Sequence, residues 1–381
     1  MALILTLNAG SSSLKFGLYT AEHEPQPVTS GMVEELGASA RLVVKGLAPA
    51  ELGETDHAGA VRHILKALEP HLGEDAVVGI GHRVVHGGAH HAEPAELTDS
   101  AMAELRELIP LAPLHQPHNL AGVTAAQAAF PNVPQIGCFD TAFHRSQPWV
   151  HTTFALPRAY YDEGVRRYGF HGLSYAYITE HLKQDYPDIA TGRVIIAHLG
   201  NGGSLCAVQN GQSLATTMGF SVLEGLAMGT RSGRIDPGVL LFLMEEKGMG
   251  ATEISDLLYR QSGLLGLSGI SSDMRALEAS GAPEAQDAIR YYVTAIQKEI
   301  GALAACLGGL DALVFTGGIG ENAASIRQQV CQRLGFLGVM LDAEKNVDGP
   351  GEIGSGPVRV LVIRTDEEQV IARAVARHVR G

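Results

Sequence analysis

Short apolar runs separated by glycine-rich turns recur along the chain. Residues 3–7 read as a strand, and Asn8-Ala9-Gly10-Ser11-Ser12-Ser13 reads as a turn. Residues 14–19 then alternate, with Leu14, Phe16 and Leu18 on one face and Lys15 on the other. Residues 194–208 repeat this design: an apolar strand to Leu199, the turn Gly200-Asn201-Gly202-Gly203-Ser204, and a returning strand to Val208. One such hairpin would be ordinary, because Asn-Gly turns are common. Two with similar tips, each opening a similar segment, point to duplicated domains that offer backbone N–H groups and hydroxyls to a shared nucleotide.

The rest of the pattern is mixed α/β. A period near 3.6 predicts helices over 61–68, 102–109 and 288–307, the second capped at Thr98-Asp99. Apolar runs predict strands over 77–85, 135–139, 312–316 and 358–363, and residues 348–356 read as a loop. A domain boundary is expected near Pro148, giving an N-terminal domain of residues 1–147 and a nucleotide-binding domain of residues 148–366. A final helix, 367–381, is expected to complete the first domain.

Composition narrows the class. The 381 residues carry a formal net charge of −13, which argues against nucleic acid or an anionic membrane as partner. No apolar stretch approaches spanning length, and the start of the chain lacks a basic n-region and a cleavage site. Cys138, Cys206, Cys306 and Cys331 form no C-x-x-C pair. They read as reduced core residues of a cytoplasmic protein. No G-x-x-x-x-G-K-[ST] sequence occurs, so an ordinary P-loop is disfavoured.

Five stretches carry candidate chemistry. GHRVVHGG places Arg83 late in a strand, and MGTRSGRIDPG places Arg231 in a loop before a helix that Pro237 starts. A guanidinium forks onto carboxylate or phosphoryl oxygens. A lone arginine is usually a surface group, but these two sit among glycines and apolar residues. CFDTAFH puts Asp140 at a strand end, suited to a metal-facing or base role or to capping a helix. YGFHGLS puts His171 beside Gly172, as a phosphoryl donor or a structural histidine. FTGGIGEN runs from a strand through a glycine turn into a helix, an anion-favouring arrangement. Asn8 reads as a magnesium ligand or a turn residue, and Glu367 as a ligand or a first-turn dipole partner.

Together, NAGSSSLK, GHRVVHGG, FDTAFH, YGFHGLS, HLGNGGS, MGTRSG and FTGGIGEN resemble the acetate kinase family of the actin-like sugar kinase superfamily, over essentially the whole chain. The resemblance implies an α/β fold of two duplicated ribonuclease-H-like domains with an interdomain cleft, and a homodimer. It implies ATP (or ADP) and acetate as substrates, with magnesium or manganese held by Asn8 and Glu367. Asp140, His171 and Arg231 would be catalytic. Arg83 would hold the acyl carboxylate, and Val85, Leu114, Phe170 and Val222 would wall the acyl group. The nucleotide would contact Lys15, His198, Leu199, Gly200, Asn201, Gly202, Asp273, Met274, Arg275, Gly318, Ile319, Gly320, Glu321 and Asn322. Arg234, Asp366 and Val222 depart from the family pattern, the last at the acyl pocket. A carboxylate acceptor is already ionised at neutral pH and needs no base, so Asp140 is expected to orient Arg231 or magnesium. Propionate or butyrate kinases, a hydroxyl-phosphorylating relative, and a non-catalytic nucleotide-binding regulator are the alternatives.

Overall fold

The computed structural model describes residues 2–10, 12–72, 76–113 and 115–380. The chain forms two compact units, one of residues 1–143 with 366–381 and one of residues 144–365.

The first unit is built on eight strands: β1 (Ala2–Ala9), β2 (Leu14–Thr20), β3 (Pro27–Glu34), β4 (Gly37–Val44), β5 (Ala50–Thr55), β6 (Ala76–Val84), β7 (Ala95–Glu96) and β8 (Gln135–Phe139). Their order is β5-β4-β3-β2-β1-β6-β8-β7. β1 is antiparallel to β2, and β6 is parallel to both β1 and β8. Both faces of β1 are covered, which explains its unbroken apolar run. Leu3, Leu5 and Leu7 pack in one core with Val61, Ile64 and Leu68 of the helix His57–Leu72. Ile4, on the opposite face, packs with Tyr19, Ile136 and the helix Glu367–Arg380 through Ala372, Val375 and Ala376. Each such fully buried Ile or Val contributes roughly 1.5–3 kcal/mol. Gly79 and Gly81 let that helix approach β6: a Cβ at either would fall 2.5 Å from Val375 or 2.2 Å from Ile371.

The second unit carries β9 (Arg193–Leu199), β10 (Gly203–Gln209), β11 (Gln212–Thr216), β12 (Ala312–Thr316), β13 (Gly351–Glu352) and β14 (Arg359–Val362), in the order β11-β10-β9-β12-β14-β13. β9, β12 and β14 are parallel, and β10 is antiparallel to β9. The series β11-β10-β9-β12-β14 thus repeats β3-β2-β1-β6-β8 in order and direction, which is the duplication that the paired hairpins suggested. The helix Pro283–Leu307 lays Ala288, Tyr292, Ile296, Ile300 and Leu303 onto this sheet, a stripe at helical spacing. Pro283 starts it, and Gly308, at φ 70°, ends it in the left-handed conformation.

GHRVVHGG and FDTAFH in the first unit, and HLGNGGS and FTGGIGEN in the second, follow the carboxyl ends of parallel strands, where open α/β sheets place ligands. The helix starts expected at Thr98 and Pro237 are present, and the Thr98 hydroxyl accepts the Ala101 N–H. Asn8 differs from expectation. It is the penultimate residue of β1, paired with Lys15, because the ladder continues past Leu7 before the turn begins. Strands β3 to β5 had no counterpart in the sequence reading. No helix among the described residues is long and apolar enough to cross a membrane.

Candidate active site

In the first unit, β6 and β8 run side by side and pair Val84 with Phe139. That register sets Arg83, just before the end of β6, against Asp140, just past the end of β8. The Arg83 Nη2 donates to Asp140 Oδ2 at 2.6 Å, its Nε donates to the same oxygen at 3.1 Å, and its Nη1 donates to Asn8 Oδ1 at 3.3 Å. Glu367, at the start of the last helix, brings Oε2 to 3.6 Å from Arg83 Nε. The Asp140 side chain is 1% exposed, so its charge depends on this partner. Burial works against the Arg83 charge, but Asp140 and then Glu367 outweigh it and hold the guanidinium more firmly protonated than usual. Burial, and then the charge of Glu367, raise the Glu368 carboxyl, while Lys15 opposes the shift. Three of the expected residues, Asn8, Asp140 and Glu367, therefore meet at a fourth, Arg83. The Arg83–Asp140 pair itself was not foreseen, since Asp140 was expected to serve Arg231 or the metal.

Val85 lies beyond β6 and is buried, its N–H bonded to Asn119 Oδ1 at 2.9 Å. Leu114, expected beside it, and Ser11 of the first hairpin tip lie outside the described residues.

In the second unit the hairpin tip between β9 and β10 is the centre of the site. A Cβ on Gly202 would meet Arg231 Nη2 at 3.3 Å and His171 Nε2 at 3.4 Å. The arginine and the histidine thus converge on one glycine, 29 and 31 residues away in sequence. Arg231 Nη1 donates to the Val222 carbonyl at 3.0 Å. Its loop is closed by the Met228 N–H to the Arg231 carbonyl, 3.0 Å, and by Leu264 N–H to Met228 O, 2.8 Å. Gly263 makes the second contact possible, because a Cβ there would lie 2.2 Å from Met228 O.

His171 begins the helix Gly172–Asp185 at φ 59°, the left-handed region that non-glycine residues rarely enter. His144 holds the approach to it. Its Nε2 donates to the Phe170 carbonyl at 2.9 Å, and Gly169, at φ 78°, leaves room for its ring. Ser213 accepts from Gln147 at 2.8 Å, so its own proton goes to His144 Nδ1 at 2.8 Å. Burial pulls the His144 imidazole down to about 4, so it stays neutral. The His171 ring stacks on His198 with centroids 4.3 Å apart. Phe170 and Val222, expected in the acyl wall, are both buried.

Beside this tip is a cavity of about 510 Å³. Gly200, Asn201, Asp273, Met274, Arg275, Gly318, Ile319 and Asn322, all residues that the resemblance assigns to the nucleotide, line it together with Ser272, Glu278 and Ala323. The parallel pairing of β9 with β12, which sets His198 against Thr316, aligns the two glycine turns. Gly317, at φ 76°, sits where a Cβ would press on the Leu199 backbone at 2.8 Å. Asp273 caps the helix Met274–Ala279 and forks onto Arg275, whose guanidinium holds the Asp273 carboxyl below its ordinary range.

Other expected nucleotide residues are not part of this lining. The Leu199 side chain is in the core. Glu321 turns its carboxylate back onto the Gly317 N–H (2.9 Å) and the Thr365 N–H (3.2 Å), so it braces the glycine turn. His198 and Gly202 belong to the His171 cluster, and Gly320 lies behind the turn, where a Cβ would meet the Ala197 carbonyl. Lys15 belongs to the first unit.

Residues 3–373 match the model of the acetokinase family. The chain belongs to that family. Acetate kinases of Methylocella silvestris and Rhodopseudomonas palustris are 51% and 49% identical to it, over 97% and 100% of this chain and 96% and 99% of theirs. Among solved structures, a propionate kinase from Francisella tularensis superposes with a TM-score of 0.93 at 37% identity, covering 99% of this chain and 100% of that one. Porphyromonas gingivalis acetate kinase superposes at 0.90 and 39%, covering 100% of both.

Two of the noted departures from the acetokinase pattern have local explanations. Arg234 Nη1 lies 2.9 Å from Glu299 Oε1, a buried carboxylate on the helix Pro283–Leu307. Burial raises the Glu299 carboxyl, and Arg234 opposes that rise. Asp366 accepts the Gln369 N–H at 2.9 Å and so caps the last helix.

One further residue escaped the sequence reading. Arg327 is 1% exposed, and its guanidinium donates to the carbonyls of Gly320 and Glu321 at 2.9 Å each and to Asn346. It therefore holds the carboxyl end of the helix Gly317–Asn322, which borders the cavity. Mid-helix, among polar residues, nothing in its spacing announced burial.

Proposed function

We propose that the chain is an ATP-dependent carboxylate kinase that reversibly transfers the terminal phosphoryl group of ATP to acetate, giving acetyl phosphate and ADP. The observation that carries this reading is the convergence of Arg231 and His171 on Gly202, in the same hairpin tip whose Gly200 and Asn201 line the cavity. Phosphoryl transfer asks a protein chiefly for positioning and for charge stabilisation on the equatorial oxygens. A cationic fork and an imidazole beside Gly202, which has no side chain, supply both. The cavity volume falls within the range of small-molecule sites, roughly 300–1,000 Å³, and its Met274, Ile319 and Ala323 suit a purine while Asn201 and Asn322 supply polar contacts.

Acetate has a pKa near that of a glutamate side chain, roughly 4.3, so it arrives ionised and needs no base. Asp140 accordingly serves as the anionic brace of Arg83. Arg83 faces the acyl carboxylate in this reading, with Val85 beside it on the same unit.

Asn8, Asp140 and Glu367 gather hard oxygen donors, the type that magnesium prefers, around the Arg83 guanidinium. Among the described residues no cluster of three or more His, Cys, Asp or Glu could cage a metal. Asn8 and Glu367 would hold the magnesium ion, and it would neutralise phosphate charge when bound.

Propionate is the second reading, favoured by the superposition on the propionate kinase. Self-association into a homodimer is supported by the helix Pro237–Glu245, which buries none of its residues and leaves Leu241, Phe242 and Met244 half exposed. The deciding assay incubates the enzyme with ATP, magnesium and C2 to C4 acids and traps acyl phosphate as hydroxamate. Acetate should give the highest kcat/KM. No hydroxamate from any acid would overturn the proposal.

A further inference from the structure

We propose that Ser204 and Tyr175 are positioning residues that keep the proton of His171 on Nε2, the nitrogen that faces Gly202. The proposal rests on the phosphoryl-transfer reading of the site and names what prepares its imidazole.

Ser204 is fully buried on β10, opposite His198 in the β9–β10 ladder. Its hydroxyl lies 2.8 Å from His171 Nδ1 and is also hydrogen-bonded to the Tyr175 hydroxyl. A serine hydroxyl has one proton and must divide its roles between these neighbours. The phenol is the more acidic hydroxyl, so it is the better donor towards Ser204 Oγ. Tyr175 is completely buried, and burial raises its pKa well above the ordinary value, so the phenol keeps its proton. The Ser204 proton is then directed at His171 Nδ1. That nitrogen acts as acceptor, and the ring proton resides on Nε2.

A reversed ring would forfeit the Nδ1–Ser204 bond, and neighbouring contacts hold the ring plane. His171 is fixed in the left-handed conformation at a helix start, and its ring stacks on His198 within 20° of parallel. His198 is itself held through Nδ1 by Ser174 Oγ at 2.8 Å. Nε2 is therefore directed to the same glycine as the Arg231 guanidinium. A protonated Nε2 presents a donor to a phosphoryl oxygen there. The opposite tautomer would present a lone pair to the same negative oxygen, so the serine decides whether the imidazole attracts or repels the transferring group.

The test uses the full chain with Ser204→Ala, Ser204→Thr, His171→Ala and the Ser204→Ala/His171→Ala double variant. Hydroxamate-trapped kcat should fall about 10- to 100-fold in Ser204→Ala, with the ATP KM unchanged. Ser204→Thr, which keeps the hydroxyl, should recover most of the rate. In the His171→Ala background, Ser204→Ala should cost nothing more, because the serine acts only through that ring. Nitrogen-15 spectra of histidine-labelled wild type, with His171 identified from the His171→Ala spectrum, should show the Nε2–H tautomer. Near-normal kcat in Ser204→Ala, a multiplicative loss in the double variant, or an Nδ1–H signal for His171 would each overturn the proposal. The spectrum stands independently of turnover. It still decides if Ser204→Ala fails to fold, or if the wild type makes no acyl phosphate and the functional reading fails instead.

Discussion

Acid should loosen the unit of residues 144–365 through His144. Its neutral imidazole is locked between the Phe170 carbonyl and the Ser213 hydroxyl, and burial holds it at about 4 against an ordinary 6.5. The unfolded chain therefore takes the proton first, and the folded state loses stability as pH falls from about 6.5 towards 4. Within that window each tenfold rise in proton concentration costs the folded state about 1.36 kcal/mol. The loss between pH 7 and pH 5 then comes to roughly 1.8 kcal/mol, about a 20-fold rise in the unfolding constant. Glu299 works in the opposite direction, because its raised carboxyl binds a proton earlier in the folded chain. Comparing wild type with His144→Gln cancels that contribution. The assay is urea unfolding at pH 7, 6 and 5, followed through Trp149, the sole tryptophan and a member of this unit. The variant should be weaker at pH 7 by about 1–3 kcal/mol, for its lost hydrogen bond. Its stability should then decline with pH by about 1.8 kcal/mol less than that of wild type. Identical pH slopes in the two proteins would refute the argument.

Gly202→Ala should lower kcat by about 100-fold with little change in unfolding midpoint, because its methyl would press on Arg231 and His171 and shift both; steady-state kinetics beside a melting curve tests this. Arg83→Ala should raise the acetate KM and also destabilise its unit by about 3–5 kcal/mol, by stranding the Asp140 charge; adding Asp140→Asn should restore stability without restoring turnover. Arg327→Met should weaken ATP binding, read by calorimetry, because the helix that borders the cavity loses its brace; unchanged affinity would remove Arg327 from that role. Val222→Ala or Val85→Ala should move kcat/KM towards propionate by up to about 200-fold, and an unchanged acetate-to-propionate ratio in both would take them out of the acyl wall.

The sequence disclosed the hairpins, the helices over 61–68, 102–109 and 288–307 and the last helix, and the central strands, because those elements are apolar on both faces or periodic; the helix Gln116–Ala129 was not assigned. Nor did the sequence disclose β3 to β5. There much of one strand face is open to solvent and the sequence is rich in Thr, Ser, Glu and Gly, so alternation is faint. The helix Gly172–Asp185 also went unassigned, since it opens on a left-handed histidine in place of a capping Ser or Asp. Individual candidates could be named at strand ends and glycine turns. Their pairings could not, because register between distant strands is a tertiary property. Arg83 meets Asp140 only because β6 and β8 align Val84 with Phe139, and Ser204 reaches His171 only through the packing of a helix on β10.

The helix Glu367–Arg380 belongs to the first unit, although residues 144–365 intervene. A ribosome must therefore make the whole second unit before the first can be finished. Until then Ile4 and Ile136 lack their cover, and the glycine-floored face of β6 lies open. The second unit is continuous in sequence and can fold as it emerges. The order of folding in the cell should thus run against the order of synthesis. In the interval the nascent N-terminal half presents an apolar sheet face, of the kind that chaperones hold.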